Sequence, residues 1–285
     1  MRNIKITTIT EEIKKLIVKA SFILPDDIVE AVKDSVKKED NPRARKILKL
    51  ILENARIARE KKLPLCQDCG LVYIDIDIGK DICIEKSGSL DDLLNKTVAE
   101  TYSNNYLRKS VVSDPLYERK NTSGNTPAII HTNFTLNSDL YLKIYLKGGG
   151  SENCSYLYML NPSIEEKEII RLIVEEVKKN VTRCCPPVIL GIGIGGSSSE
   201  VTRLAMIASF RNLKNRNQDK KYRELEEKIL KAVNDTGIGP QGLGGRTTAL
   251  ACNIEYAPCH MASLPLALFM GCHSIRRADS KISPP

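Results

Sequence analysis

CCPPVILGIGIGGSSSEVTRLAMIASF, residues 184–210, runs from an apolar and glycine segment through serines into a helical repeat. A short apolar run bounded by proline and glycine reads as a buried strand, and serine before a periodic apolar segment starts a helix. The glycines fit a loose G-x-G-x-x-G, which alone suggests a dinucleotide fold. The rest of that pattern is missing: this is no early βαβ unit, and no clean strand with a terminal acid follows. What survives is a glycine-rich loop feeding a helix N-terminus, a setting suited to an anion or a cluster sulfide. No G-x-x-x-x-G-K-[ST] occurs, so ATP chemistry is not expected.

Working outward, residues 1–62 read as a helical lead-in, with apolar residues at three- and four-residue steps and Pro25 at a helix start. From 63 onward the segments mix. VYIDIDIG, AIIHTNF, LYLKIYL, TALACNIEY and SLPLALFMGC read as strands. LDDLLNKTVAETYSNNYLRK, SIEEKEIIRLIVEEVKKN and YRELEEKILKAV read as helices. NTSGNTPA, KGGGSEN and NDTGIGPQGLGGRTT are turn-rich or glycine-rich loops. The expected architecture is mixed α/β (α+β), a helical start followed by α/β segments with cluster- and anion-binding loops. No repeat or linker marks a boundary, so 1–285 is expected to be one unit.

The chain has 285 residues, 42% hydrophobic, enough for a sizeable core. No apolar run reaches the roughly 18 residues of a membrane span. The start, MRNIKITTITEEIKKL, shows no signal-peptide pattern, so a soluble cytoplasmic protein is expected. The net charge is +8, but Lys and Arg alternate with acids on helices, as in EEKEIIRLIVEEVKK. That is the pattern of solvated faces with i,i+4 pairs. Trp is absent and aromatic interleaving is sparse, so neither nucleic acid nor membrane is an expected partner.

Nine cysteines in a cytoplasmic chain do not suggest a disulfide framework. Cys66, Cys185 and Cys272 lie far apart, each beside glycine, proline or small polar residues. A zinc site wants two close pairs, and a thioredoxin-like C-x-x-C opens a helix. Cys66-Gln67-Asp68-Cys69 instead opens onto a strand, and no second pair has matching spacing. Three distant cysteines suit an iron–sulfur cluster held at three corners, with one iron open as a Lewis acid. Three consecutive glycines in KGGGSEN cost backbone entropy and allow close approach to the backbone. His260 in YAPCHMASLP, twelve residues before Cys272, is a candidate acid/base or carboxylate ligand. A lone histidine is more often structural, and His131 and His273 carry less weight.

Taken together, CQDCG, YLRKSVVSDPL, KNTSGNTPA, KGGGSENCS, CCPPVILGIGIGGSSSEVTRLA, NDTGIGPQGLGGRTTALACNIEYAPCHMASLPLA and GCHSIRRADS resemble the class I, iron–sulfur-dependent fumarate hydratases. The likeness is to the N-terminal domain or α subunit, which L-tartrate dehydratase shares, over about residues 60 to 278. It implies one [4Fe–4S] cluster per α chain, held by Cys66, Cys185 and Cys272. It implies substrate contacts at Gln67, Arg108, Gly149 and Asn153, and catalytic roles for Asp68 and His260. Single-chain members continue into a second domain with a catalytic threonine. This chain resembles the α subunit alone, so a separate β subunit is expected, in an α2β2 heteromer.

The implied reaction is reversible hydration of a small dicarboxylate, fumarate to (S)-malate. Arg108 would pair with a carboxylate, and the KGGGSEN amides and His260 would hold the other. The alternatives are an L-tartrate dehydratase α subunit and, from another class, a non-catalytic iron–sulfur or zinc protein. No residue decides between fumarate and tartrate, and fumarate is the expectation.

Overall fold

The computed structural model describes residues 2–85 and 88–283. In chain order it opens with strand β1 (Arg2–Lys5) and helices α1 (Ile6–Phe22), α2 (Asp26–Lys38) and α3 (Pro42–Lys61). Then come β2 (Leu71–Gly79), β3 (Ile82–Glu85), α4 (Leu90–Asn104), β4 (Ile129–Thr135) and β5 (Leu140–Lys147). A single turn, α5 (Gly149–Glu152), leads to β6 (Ser155–Leu160), α6 (Glu166–Asn180) and β7 (Val188–Gly195). The rest is α7 (Ser198–Phe210), α8 (Lys220–Asn234), β8 (Ala249–Ala257), β9 (Leu264–Gly271) and β10 (Arg276–Ile282). The mixed α/β expectation therefore holds. Among the described residues no helix is long and apolar enough to cross a membrane.

The chain divides into two compact units, and each takes several separate segments. The first comprises the described residues up to Pro25, Ile57–Gly149 and those from Arg276 onward. The second comprises Asp26–Arg56 and Gly150–Ile275. The helical start is shared out: α1 belongs to the first unit, α2 and most of α3 to the second. The chain passes between the units after Pro25, inside α3 after Arg56, at the glycine run after Gly149, and after Ile275.

In the first unit the sheet order is β10-β5-β2-β4, with β4 parallel to β2 and the other pairs antiparallel. Strand alternation puts Val72, Ile74, Ile76 and Ile78 on one face with Leu140, Leu142, Ile144 and Leu146. These join Ile9, Ile13, Leu16 and Ile17 of α1 and Leu94, Val98 and Tyr102 of α4 in one core. Each such side chain contributes about 1.5–3 kcal/mol through burial. The other face carries charge in register: Asp75 meets His131 Nδ1 at 3.0 Å, and Asp77 accepts from Lys143 at 2.8 Å and Asn133 at 2.7 Å. The helical reading of the first residues is corrected at Arg2–Lys5, which pair in parallel with β3 and bury Ile4.

In the second unit the order is β6-β9-β7-β8, with β7 parallel to β8. Ile192 and Ile194 of β7 enter a core with Ile169, Ile173 and Val177 of α6 and Leu225, Ile229 and Val233 of α8. The alternate positions, Gly191 and Gly193, lie under α7. A Cβ on Gly191 would stand 2.2 Å from the Ala205 carbonyl oxygen, and one on Gly193 2.2 Å from that of Val201. Gly191 and Gly193 thus let helix and strand touch backbone to backbone, while Gly195 and Gly196 turn the chain with φ of 84° and 66°. Ser197 caps α7 by accepting from Glu200 N–H, so the strand-to-helix reading of 184–210 holds. Surface lysines and arginines pair with nearby acids, as in Arg171–Glu175 and Lys231–Asp235.

Candidate functional site

In the first unit, the segment from Cys66 to Gly70 joins the end of α3 to β2. Leu65 N–H donates to the Ser21 carbonyl at 2.9 Å and anchors its entry. Asp68 then organises the loop. Its Oδ1 accepts from Gly70 N–H at 3.0 Å, a side chain closing a turn on the backbone two residues on. Its Oδ2 accepts from Gly149 N–H at 2.6 Å. The Asp68 carbonyl accepts from Arg276 Nη1, and Asp68 N–H points at Cys66 Sγ at 3.5 Å.

The two cysteines of the C-x-x-C differ in surroundings. Cys66 is half-buried, with Sγ 3.4 Å from Gln67 Oε1. Cys69 is buried in the core, and its Sγ accepts from Arg108 N–H at 3.2 Å. Burial pushes the Cys69 thiol up, with the Arg108 amide and the Arg276 charge opposing. The loop carbonyls are held from below. Tyr102 Oη donates to Cys69 O at 2.9 Å, and buried Asn125 donates to Gly70 O at 3.0 Å. Burial pushes the Tyr102 phenol up as well, so it stays a donor. The Arg108 backbone is fixed by Cys69 while its side chain is exposed, and among the described residues it makes no ion pair.

The second unit separates another adjacent pair. Cys184 ends a short 3-10 turn, lies at 1% exposure in the core, and sends its Sγ to the Val181 carbonyl at 3.2 Å. Its thiol is pushed up, first by the neighbouring Cys154 thiol and then by burial. Cys185 adopts a left-handed backbone (φ 55°) and is exposed. Its carbonyl lies 2.9 Å from His273 Nδ1, and Cys272 N–H donates to Ser151 Oγ at 3.2 Å. Cys185, Cys272 and the buried Ser151 of KGGGSEN are thus tied together through His273. Gln241 braces the same loop from NDTGIGPQGLGGRTT, donating to the Pro186 carbonyl at 2.9 Å.

His260 is exposed, and its Nδ1 accepts from Ala262 N–H at 3.1 Å. That bond leaves the neutral ring's proton on Nε2 as an outward donor. Asn153 is exposed. Several amides of the 234–248 loop are already committed to the chain itself: Arg246 N–H to Glu39, Thr248 N–H to Asn234 and Gly239 N–H to the Thr248 hydroxyl.

The nine residues singled out from the sequence divide between the units. Cys66, Gln67, Asp68, Arg108 and Gly149 fall in the first, Asn153, Cys185, His260 and Cys272 in the second. Among the described residues no three His, Cys, Asp or Glu side chains form a group that could hold a single metal ion. Sequence reasoning does not single out Tyr102, Asn125, Ser151, Gln241 or Arg276 as site residues, and it gives His273 little weight. Each acts by a bond to a residue far along the chain, and no local pattern signals such a bond.

Residues 10–281 match the model of the fumarate hydratase (Fumerase) family. The fold and these loops therefore sit in a chain of hydro-lyase type. The chain belongs to the fumarate hydratase family. It is 35% identical over 277 residues to a Methanocaldococcus jannaschii protein that carries the provisional name L(+)-tartrate dehydratase subunit alpha. That match covers 96% of this chain and 97% of the relative. It is 27% identical over 274 residues to the L(+)-tartrate dehydratase subunit alpha of Escherichia coli K12, covering 95% of this chain and 90% of the relative.

Proposed function

We propose that this chain is the α subunit of an iron–sulfur hydro-lyase that hydrates fumarate reversibly to (S)-malate. The observation that carries the reading is the sorting of the two close cysteine pairs. Cys69 and Cys184 turn into cores as protonated thiols, while Cys66 and Cys185 stay accessible. This sorting supports Cys66 and Cys185 and, with Cys272 as the resemblance implies, they would hold three corners of a [4Fe–4S] cluster, with Asp68 N–H a donor toward the Cys66 sulfur. When bound, such a cluster supplies Lewis-acid activation of the substrate hydroxyl.

The remaining work falls to side chains and amides. The exposed Arg108 fork suits a substrate carboxylate. His260 offers Nε2–H to the other carboxylate. Gly149 N–H is engaged by Asp68, so an incoming carboxylate would take that amide and release Asp68 Oδ2 as a proton acceptor beside the substrate. Gln67 lies next to the ligand and orients the same end. The family's name favours fumarate. The names of the relatives favour L-tartrate as the second reading, and the words "subunit alpha" in them support a separate β chain, in an α2β2 assembly.

The test is anaerobic reconstitution of the chain with and without its β partner, following fumarate and L-tartrate loss separately. Fumarate turnover that requires the partner supports the proposal. Tartrate turnover alone keeps the chemistry and changes the substrate. No turnover of either, with iron and sulfide fully loaded, sinks the hydratase reading.

A further inference from the structure

Arg276 opens β10 opposite Leu146, on the face of the sheet that carries Ala278 and the apolar core. It is 2% exposed. Buried arginines are ordinarily paired with a carboxylate, because a desolvated charge is costly. Among the described residues Arg276 has no carboxylate within ion-pair distance, and its Nε has no hydrogen-bond partner. Its one bond runs from Nη1 to the Asp68 carbonyl. Its Nη2 lies against the glycine turn: a Cβ on Gly148 would stand 3.2 Å from Nη2 and 3.1 Å from Asp68 Oδ2. Three segments distant in sequence therefore meet at this guanidinium. They are the Cys66–Gly70 loop, the Gly148–Gly149 turn and the start of β10.

We propose that Arg276 is a positioning residue whose buried guanidinium fixes the Asp68 peptide against the Gly148–Gly149 turn. It thereby sets how Cys66, Gln67 and the Gly149 amide are presented. An ordinary packing role would be met by any apolar residue on this face and would leave no charge to desolvate. A planar fork reaches the carbonyl and the turn at once, which an ammonium on a flexible stem does not. The effect on cluster and substrate rests on the function proposed above. The effect on the loop does not.

The experiment uses the full chain carrying Arg276→Gln or Arg276→Lys. Amide hydrogen exchange is followed at Gly70 and Gly149, with Ile74 and Ile144 as sheet references. Losing a charge-assisted bond should speed exchange at the two glycines by about 10- to 100-fold in Arg276→Gln, with the sheet amides unchanged. Arg276→Lys should fall between. Should Arg276→Gln fail to fold, Arg276→Lys carries the comparison. Unchanged glycine exchange, or an equal rise in the sheet, overturns the proposal. On the reconstituted α–β complex the same variants should release iron faster to a chelator and raise KM more than they lower kcat. If the wild type loads no iron, the proposed function fails while the exchange result still decides the role of Arg276.

Discussion

Gly149 donates its backbone N–H to the Asp68 carboxylate at 2.6 Å, across 81 residues of sequence. The same carboxylate closes its own loop on Gly70, so both of its oxygens are engaged. Asp68→Asn retains the side-chain shape but removes the negative charge and half the acceptor capacity. We expect kcat to fall by about 10²-fold or more, the range for losing a proton-transfer group, with iron content near wild type. Parallel loss of iron and activity would make Asp68 a purely structural residue. Iron and sulfide analysis beside steady-state kinetics separates the two.

Cys184 and Cys185 give a paired test of ligand identity. Cys185→Ser should lower bound iron sharply with little change in the stability of the chain before reconstitution. Cys184→Ala should do the reverse, retaining iron and costing about 1 kcal/mol, as for one buried methyl-sized group. Urea denaturation of the apo chain and iron analysis after reconstitution provide both readouts.

Gly191→Ala tests the contact between β7 and α7. The added methyl would stand 2.2 Å from the Ala205 carbonyl oxygen and 2.4 Å from Ser209 N. Both are backbone atoms, so relief requires moving the helix. The expected loss is about 3 kcal/mol or more, at the upper end for overpacking. A urea midpoint within error of wild type would show that α7 is free to shift.

Alkaline pH should destabilise the fold through its buried thiols. Cys252 lies in the second unit's core, and burial, reinforced by the Glu226 charge, pushes its thiol well above the ordinary value. In the unfolded chain the thiol titrates near about 8.5. Above that pH the unfolded state releases its proton while the folded state keeps it. The unfolded state then binds fewer protons, and stability falls as pH rises. The contribution is fully present below about pH 8.5 and is lost progressively above it. Cys252→Ala should flatten the decline in unfolding free energy between about pH 8 and 10, seen as a smaller drop in urea midpoint.

Strongly periodic elements are legible in the sequence alone. The apolar steps of α6 and α8 and the alternation of β2 and β5 report directly which face is buried. β6 and β10 carry no such signal. Arg276–Ile282 is largely polar, and only its pairing with β5 makes it a strand. The GIGIGG run is legible as strand and turn but not in full purpose, since Gly191 and Gly193 answer to a helix lying over them.

The sequence by itself determined the α/β character, the order of elements and the family, because periodicity and contiguous motifs are local properties of the chain. It also named the cysteines, but it could not say which of each close pair turns inward. That choice belongs to the tertiary structure, which buries Cys69 and Cys184 and brings Asp68, Gly149 and Arg276 together. The physical reason is that burial and long-range hydrogen bonds depend on which distant segments the folded sheets place side by side.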